Sequence, residues 1–179
     1  MTKREINPVD YAADILKALP RGILVNTSNG KKDNTMIIGW GTMGVEWSVP
    51  IFAIYIREGR YTRELLDESR EFTVSIPYGE YDRSIVKICG AQTGRNVDKF
   101  QEAGLTKVAG EAVSSPAVRE LPLTLECKVV FRKEQGIGLI DKKFSNMYPA
   151  DVDSAATGAN KDCHIAYYGE IVKAYIIED

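Results

Sequence analysis

Residues 51–62 read Ile51-Phe-Ala-Ile-Tyr-Ile-Arg57-Glu-Gly-Arg60-Tyr-Thr62, an apolar run that ends in a short polar turn. Successive side chains of a β-strand point to opposite faces. The phenylalanine and the isoleucines at 54 and 56 therefore share one face, while Tyr55 and Arg57 share the other. Arg57 leaves the strand just before a turn at Gly59, and a helix begins at Thr62. We predict a strand over 49–57 followed by a helix to about residue 70.

Further β-type runs and helical runs lie on both sides of this unit. The other predicted strands are 23–27, 34–40, 72–76, 107–113, 121–133, 137–140 and 164–177. The other predicted helices are an N-terminal helix within 1–20, opened by Asn7 and Pro8, and the segments 80–89 and 96–103. Because the strands do not alternate regularly with helices, a doubly wound parallel sheet is disfavoured. We predict one mainly β domain over 1–179, a β-barrel with helical additions, and a long surface loop at 142–162.

Composition excludes several classes of protein. The chain has 179 residues, 44% of them hydrophobic and 27% charged, with a net charge of -2. There is no basic footprint for nucleic acid, no apolar run near the roughly 18 residues of a membrane span, and no export signal at the N-terminus. We therefore expect a cytoplasmic protein that binds neither nucleic acid nor a membrane.

Histidine and cysteine are scarce. His164 is the single histidine, and Cys89, Cys127 and Cys163 form no CxxC pair. Their odd number argues against a disulfide framework. Cys163 and His164 are neighbours on a predicted strand, point to opposite faces, and so cannot easily share one metal ion. We expect no metal site, and an enzyme of this composition would take its chemistry from a cofactor.

A glycine pattern at 39–44, Gly39-Trp-Gly41-Thr-Met-Gly44, matches the GxGxxG form of dinucleotide-binding loops. In such loops a helix follows and its N-terminus holds the pyrophosphate. Here Val45-Glu-Trp-Ser-Val-Pro50 and another β-type run follow instead. We therefore assign these glycines to a hairpin turn.

Two segments combine hydroxyl groups and cations at predicted helix starts. Arg57, Arg60 and Arg63 surround Thr62, and the segment Thr93-Gly94-Arg95-Asn96-Val97-Asp98-Lys99 has Asn96 as candidate N-cap. Free N–H groups and the helix dipole make such places suited to anions. The alternative is a pair of capped surface helices with solvated cations. If the segments bind anions, they converge on one phosphate or bind one each.

The strand at 34–40 and His164 allow two interpretations each. Thr35, Ile37 and Gly39 form a small, mixed face that a flat ring could approach, whereas Trp40, on the opposite face, is expected in the barrel core. His164 has the intrinsic pKa of a general acid, but a lone histidine on a strand is more often a hydrogen-bonded structural residue. Cys89 is expected to be a buried thiol.

The order of these motifs is characteristic. Asn34-Thr-Met-Ile-Ile-Gly-Trp40 is followed by Trp47-Ser-Val-Pro50, the strand ending Arg57-x-x-Arg60-x-Thr62, Phe72-Thr-Val-Ser-Ile-Pro77, Cys89-Gly90-x-x-Thr93-Gly94-Arg95-x-x-Asp98-Lys99-Phe100, and His164 through Gly169-Glu170-Ile171. Over roughly residues 20–175 the chain resembles the flavin reductase-like FMN-binding family, in its flavoredoxin-type branch.

The resemblance implies an FMN-binding split β-barrel of antiparallel, Greek-key type, usually a homodimer with each FMN near the subunit interface. It also implies two groups of cofactor-binding positions. The isoalloxazine ring would contact Asn34, Thr35, Met36 and Ile37. The ribityl chain and phosphate would contact Tyr55, Arg57, Arg60, Tyr61, Thr62, Thr93, Gly94, Arg95 and Lys99. Many relatives have Met-Thr where this chain has Met36-Ile37, so a hydroxyl near the ring is missing.

The function implied by the resemblance is an FMN-dependent oxidoreductase of the NAD(P)H:flavin reductase type. NADH or NADPH would reduce FMN, with free flavin or a small acceptor taking the electrons, and His164 would be a proton donor or a substrate-positioning group. The alternatives are a flavoredoxin-type carrier between redox proteins and an FMN-binding module without turnover.

Overall fold

An antiparallel sheet of eight strands forms most of the structure, a computed structural model that describes residues 1–148 and 162–178. The strands of this sheet are β1 Thr2–Glu5, β2 Ile23–Ser28, β3 Asp33–Ile38, β4 Gly41–Glu46, β5 Val49–Arg57, β6 Glu71–Ile76, β9 Leu123–Glu134 and β10 His164–Glu178; a separate pair is β7 Lys107–Val108 with β8 Ala117–Val118. The order is β3-β2-β6-β9-β10-β5-β4, with β1 paired to the end of β10.

Within residues 1–148 and 162–178, four α-helices and four short 3-10 segments connect these strands. The helices are α1 Ala12–Ala18, α2 Tyr61–Ser69, α3 Ser84–Ala91 and α4 Lys99–Glu102. The 3-10 segments are Pro8–Tyr11, Leu19–Arg21, Ile137–Leu139 and Lys142–Met147. In the part of the chain that the structure describes, we find no helix with both the length and the apolar character needed to cross a membrane.

The two edge strands of the sheet are consecutive in the chain. Only Gly39 and Trp40 separate the end of β3 from the start of β4. Three peptide steps span at most about 11 Å, so the two edges approach each other at this corner. In the described residues β3 and β4 form no ladder with each other. The sheet is therefore a barrel with an open seam, which confirms the mainly β fold with helical additions.

The core lies on the inner face of this curved sheet. Phe52, Ile54 and Ile56 of β5 are fully buried there, as the alternation of the sequence predicted, and α1 adds Ile15. Burying an aliphatic or aromatic side chain of this size contributes about 1.5–3 kcal/mol. A second cluster, which includes Cys89, packs α3 and α4 against the outer face of β2. These two helices are thereby fixed beside β3.

Two edge strands were missed by the sequence analysis. Residues 2–5, predicted as part of an N-terminal helix, are β1. Gly41 and Gly44, assigned to a turn, lie inside β4, and the turn falls at Trp47 and Ser48, whose φ values of 52° and 63° match a type I′ hairpin. Both strands lie at an edge and pair on one side only, so they carry little of the apolar alternation that marks central strands.

Three other boundaries differ from the prediction. Helix α4 begins at Lys99 because Asp98, not Asn96, accepts hydrogen bonds from the N–H groups of Phe100 and Gln101. The strand predicted at 107–113 covers only Lys107–Val108. Residues 137–140, predicted as a strand, form a 3-10 turn with Leu139 92% exposed, since no neighbouring strand is there to bury it.

The predicted loop at 142–162 begins instead with 3-10 helix, over Lys142–Met147. Its residues 149–161 lie outside the described residues.

Candidate functional site

A cavity of about 560 Å³ lies beside the corner where β3 and β4 meet. Its wall combines β3, the end of β5, the start of α2, the end of α3 with the turn that follows, and the first residue of β10. This volume is in the range of about 300–1,000 Å³ usual for small-molecule sites. The predicted site residues that line it are Asn34, Met36, Ile37, Tyr55, Arg57, Arg60, Tyr61, Thr62, Thr93, Gly94, Arg95, Lys99 and His164.

Thr35 is the predicted site residue that does not line the cavity. It is fully buried in β3, opposite Asn26 of β2, and its hydroxyl has no hydrogen-bond partner among the described residues. Alternation along β3 turns this side chain away from its neighbours Asn34 and Met36.

Asn34 joins β3 to helix α2. Its Nδ2 donates to Thr62 Oγ1 at 2.8 Å, and both side chains are buried. The Thr62 hydroxyl therefore accepts from β3, and the N-cap of α2 is Arg60, which makes no side-chain capping bond. Asn34 Oδ1 is buried without a partner among the described residues.

Gly94 is required by this arrangement. A Cβ built on Gly94 would lie 1.9 Å from Asn34 Oδ1 and 3.2 Å from the Tyr61 ring. Only a glycine lets the turn at 93–95 pack this closely on β3 and α2. The result is a cradle in which backbone, an amide oxygen and the start of α2 face the same space.

Arg60 is a half-buried cation that faces the cavity. Its side chain is half-buried, and among the described residues it has no hydrogen bond and no salt bridge. Burial lowers the pKa of the Arg60 guanidinium, and the nearby Asp162 carboxylate only partly opposes this effect. A desolvated cation at the N-terminus of α2, where the first N–H groups lack helical partners, is suited to an anion.

Arg57 and Arg95 hold the cavity wall together. Arg57 Nη1 donates to the backbone oxygens of Asp162 at 2.5 Å and Met147 at 3.2 Å. Arg95 forms an ion pair with Glu64 and donates to the Gly59 oxygen at 3.2 Å. Arg57 and Arg95 both line the cavity, and each uses some of its N–H groups in the contacts just described.

Lys99 contributes a buried ammonium, only 6% exposed. Its Nζ donates to the backbone oxygen of Cys89 at 3.0 Å, near the C-terminus of α3. The ammonium of Lys99 is thus stabilised at the C-terminal end of α3, although the residue itself begins α4. Burial lowers the pKa of Lys99 to about 8. It raises the pKa of Cys89 to about 11, so this buried thiol stays protonated.

The apolar part of the wall comes from β3 and the residues after it. Met36 and Ile37 are partly buried and line the cavity. Trp40, expected in the core, is 42% exposed because β3 ends at Ile38 and the chain turns the corner there. An apolar wall beside a set of cations suits a molecule with both a flat ring and an anionic group.

His164 is buried at the start of β10. Its Nδ1 lies 3.0 Å from Tyr148 Oη, and its ring centroid is 5.2 Å from that of Trp40. Burial, assisted by the charge of Arg57, lowers the pKa of His164 to about 4. The imidazole is therefore neutral at pH 7, where it can exchange hydrogen bonds but holds no extra proton to donate.

Several cavity residues were not among the predicted ones. Gly59 donates its N–H to Asp162 Oδ2 at 2.6 Å, and Gly90 and Gln92 continue the wall beyond Cys89. The Cys89-Gly90 pair precedes the Thr93 segment in the sequence and was a usable signal. Asp162 and Tyr148 approach from a distant part of the chain, which no local pattern indicates.

The described residues contain no group of three or more His, Cys, Asp and Glu side chains placed to hold a metal ion. All three cysteines are free.

Comparison with known proteins gives matches in sequence and in fold. The family described as flavin reductase like domain matches residues 16–179. An uncharacterized protein of Archaeoglobus fulgidus is 31% identical over 109 residues, which are 61% of this chain and 60% of that protein. The matches to curated relatives span 60–65% of the relatives' own lengths.

Two solved structures share the fold. Flavoredoxin of Desulfovibrio vulgaris (Miyazaki F) is 26% identical, with a TM-score of 0.64 over 88% of this chain and 69% of its own. The FMN-binding domain of a flavin reductases-like enzyme from Shewanella baltica OS155 is 15% identical, with a TM-score of 0.64 over 98% of this chain and 77% of its own. They confirm the split-barrel fold class.

Proposed function

The chain belongs to the flavin reductase-like family, and on that premise we propose that it binds FMN in the cavity and works as an FMN-dependent oxidoreductase reduced by NADH or NADPH. The observation that carries the proposal is the half-buried Arg60 at the start of α2, which has no side-chain hydrogen bond or salt bridge among the described residues and faces a cavity whose opposite wall is apolar. An anion supplied by a ligand would be the missing partner of this cation.

The residues present fit FMN. Arg60, Lys99 and the first N–H groups of α2 supply donors for one phosphate. The buried Oδ1 of Asn34 lacks a partner among the described residues and can accept from a ligand N–H or hydroxyl. Gly94 keeps the backbone close to the same space.

Met36, Ile37 and Trp40 would shield the flat ring from water. The bound FMN would supply hydride and electron transfer, as flavins do. The protein orients it and sets the charge around it. Because Ile37 has no hydroxyl, this chain offers no side-chain hydrogen bond to the ring at that position.

His164 would position a substrate and would not protonate it. Its neutral ring, held between Trp40 and Tyr148, can donate or accept one hydrogen bond at a substrate near the ring site. Because its pKa is lowered, the ring stays neutral at pH 7 and no imidazolium forms beside the Arg57 guanidinium. A polar group of the substrate would therefore form a hydrogen bond with a neutral imidazole that is held in one orientation.

A second candidate function is electron carriage between redox proteins. The 26% identity to a flavoredoxin favours it. In that case FMN stays bound and no nicotinamide is consumed. The electron partner would be a protein, and neither NADH nor NADPH would be needed.

We also propose a homodimer that resides in the cytoplasm. Trp47, Phe131 and Tyr168 form an aromatic row, with ring centroids 6.4 Å and 5.3 Å apart, and Trp47 and Phe131 are 57% and 42% exposed. Such a row is suited to burial against a second subunit. Three free thiols suit a reducing compartment.

The deciding experiment starts from the purified full chain. We expect a yellow protein whose flavin absorbance survives desalting, and anaerobic bleaching of that absorbance by NADH or NADPH. Bleaching by dithionite but by neither nicotinamide would overturn the reductase and favour the carrier. A colourless protein that takes up no FMN would refute both.

A further inference from the structure

A second, smaller cavity of about 350 Å³ lies next to the main one and is lined by Trp40, Gln135, Ile140, Phe144, Met147 and Tyr148. We propose that this second cavity binds a small, planar, uncharged ring compound bearing one carbonyl oxygen. The compound would be a substrate that receives electrons at the FMN site. That use of the compound rests on the proposed function, whereas the binding itself does not.

The lining chemistry selects an uncharged, mostly apolar ligand. None of the six described residues that line this cavity is charged, and four of them are apolar. Phe144 is 45% exposed and Met147 38% exposed, so apolar surface at this place is left in water. A cationic compound would lose its hydration and meet the Arg57 guanidinium, which lies 5.4 Å from the centroid of the Tyr148 ring, while an apolar ring would cover this surface. A volume near the lower end of the range for ligand sites fits one or two fused rings.

The position of the cavity connects it to the proposed FMN site. Trp40 belongs to the walls of both cavities. Tyr148 lines the second cavity, and its hydroxyl lies 3.0 Å from Nδ1 of His164, which lines the first. A ligand here would touch the same indole that borders the ring site. The hydrogen-bonded side chains of Tyr148 and His164 would lie between this ligand and the FMN.

Tyr148 supplies the polar contact. Burial raises the pKa of its hydroxyl, which therefore stays protonated. When His164 carries its proton on Nδ1, that N–H donates to Tyr148 Oη and leaves the phenol hydrogen free. The other polar neighbour is Gln135 Oε1, 3.5 Å away, a long and weak contact. A ligand carbonyl is a better acceptor for this hydrogen.

The test uses the two tryptophan indole N–H signals of the full chain in nitrogen-correlated NMR spectra, with acetophenone as the probe. Trp40 borders the second cavity, whereas Trp47 lies on the turn between β4 and β5. The Trp47→Phe variant assigns the two signals. We expect acetophenone to shift the Trp40 signal saturably and to leave the Trp47 signal in place. The shift should persist after the protein is saturated with FMN.

Adjacent residues provide the variant and its control. Ile140 lines the second cavity, and the neighbouring Leu139 is 92% exposed and does not. Ile140→Glu should weaken acetophenone binding at least about tenfold because it places a charge in the apolar wall. Leu139→Glu adds the same charge to water and should change the affinity less than about twofold. Tyr148→Phe should weaken acetophenone about three- to tenfold but leave ethylbenzene, which has no carbonyl, unaffected.

Three results would overturn the inference. One is the absence of a saturable Trp40 shift. Another is a shift that FMN abolishes, since the compound then occupies the main cavity. The third is an equal loss of acetophenone affinity in the Ile140→Glu and Leu139→Glu proteins. FMN binding is read separately from flavin absorbance. If the protein takes up no FMN, the Trp40 shift and the comparison of Ile140→Glu with Leu139→Glu still decide the inference.

Discussion

Arg60 shows how much a single side chain can indicate. A guanidinium that is half removed from water normally has a carboxylate or several carbonyl oxygens around it. Neighbouring Arg63 has such partners, since it donates to the Glu58 oxygen and pairs with Asp67 at 3.3 Å. Among the described residues Arg60 has no side-chain hydrogen bond and no salt bridge, and the nearby Asp162 carboxylate only partly offsets its burial, although both arginines belong to the start of α2.

Arg60→Gln should therefore weaken FMN binding by about 10- to 100-fold, because a charge-assisted hydrogen bond to phosphate is lost. Thermal stability without FMN should hold or rise, since a desolvated charge that Asp162 only partly compensates is removed. Arg63→Gln is the control and should leave FMN affinity within about twofold. Titration of FMN by fluorescence quenching measures both proteins. Equal loss in the two variants would contradict the assignment of Arg60.

His164 is the single histidine, so its titration can be followed without ambiguity by NMR of its ring in a protein without a histidine tag. We expect a pKa of about 4, lowered mainly by burial. Between pH 4 and 6.5 the unfolded chain binds a proton that the folded chain does not. The free energy of unfolding therefore falls as the pH drops through this window.

His164→Gln should flatten that dependence between pH 4 and 6.5, as urea unfolding at several pH values would show. A measured pKa near the ordinary value of about 6.5 would show that the ring is accessible to water. His164 would then be available as an acid near neutral pH.

At the scale of elements, the cavity depends on segments packed against β3: the turn at 93–95, the start of α2 and the end of α3. The apolar strands and the cations at α2 were predictable because alternation and charge are local properties. The partners of Asn34 and Lys99 were not, since they depend on how distant segments meet. Thr62 was expected at a helix start with its hydroxyl available to an anion, and this hydroxyl accepts a hydrogen bond from Asn34.

Gly94→Ala should destabilise the protein by about 1–3 kcal/mol and weaken FMN binding, because the new methyl group collides with Asn34 Oδ1. Gly44→Ala is the matched control, since a Cβ there meets nothing within 4 Å. Combining Gly94→Ala with Asn34→Ala removes the collision and should restore part of the stability. Thermal denaturation decides between these outcomes. If the double variant regains no thermal stability, the strain does not come from the collision with Asn34.

Lys99 links the end of α3 to the start of α4 and makes two properties vary with pH in opposite directions. Its folded pKa of about 8 lies below the ordinary 10.5, so the unfolded chain binds more protons between these values. Stability should rise by up to about 3 kcal/mol as the pH increases through this window. FMN affinity should fall over the same range as the ammonium loses its charge.

Lys99→Met should remove both dependences. The exposed Lys87→Met on α3 should leave them unchanged. Urea unfolding and FMN titration between pH 7.5 and 10 provide the two measurements. Stability and affinity that both fall with rising pH would contradict the role given to Lys99.

At the scale of the whole molecule, the sheet explains what sequence reasoning reached and what it missed. The long strands β9 and β10 are paired on both sides over much of their length and have strongly apolar faces, so they were predicted nearly residue for residue. The edge strands β1 and β4 have a partner on one side and exposed residues such as Val45, 73% accessible, so they were missed. The aromatic row of Trp47, Phe131 and Tyr168 forms only when distant segments meet in the sheet, so its exposure could not be predicted from any one segment.

Phe131→Glu should convert the proposed dimer into a monomer, because a carboxylate in the aromatic row cannot be buried without a partner. Val9→Glu is the control, since it adds the same charge at another apolar residue that is 57% exposed. Light scattering coupled to gel filtration measures the mass of each protein. A wild-type monomer, or a Phe131→Glu dimer, would refute the role given to this row.

The covalent link of Gly39 and Trp40 between β3 and β4 determines how the seam of the barrel can deform. The two edges share this point, so any change in seam width is a rotation about it and not a parallel separation. The far end of β3, five residues away, has a lever arm of about 17 Å, so a rotation of about 10° would move it by about 3 Å. Trp40, on the axis, would hardly move. Such a rotation would therefore widen the seam most at the end near Asn34, while the indole shared by the two cavities would stay in place.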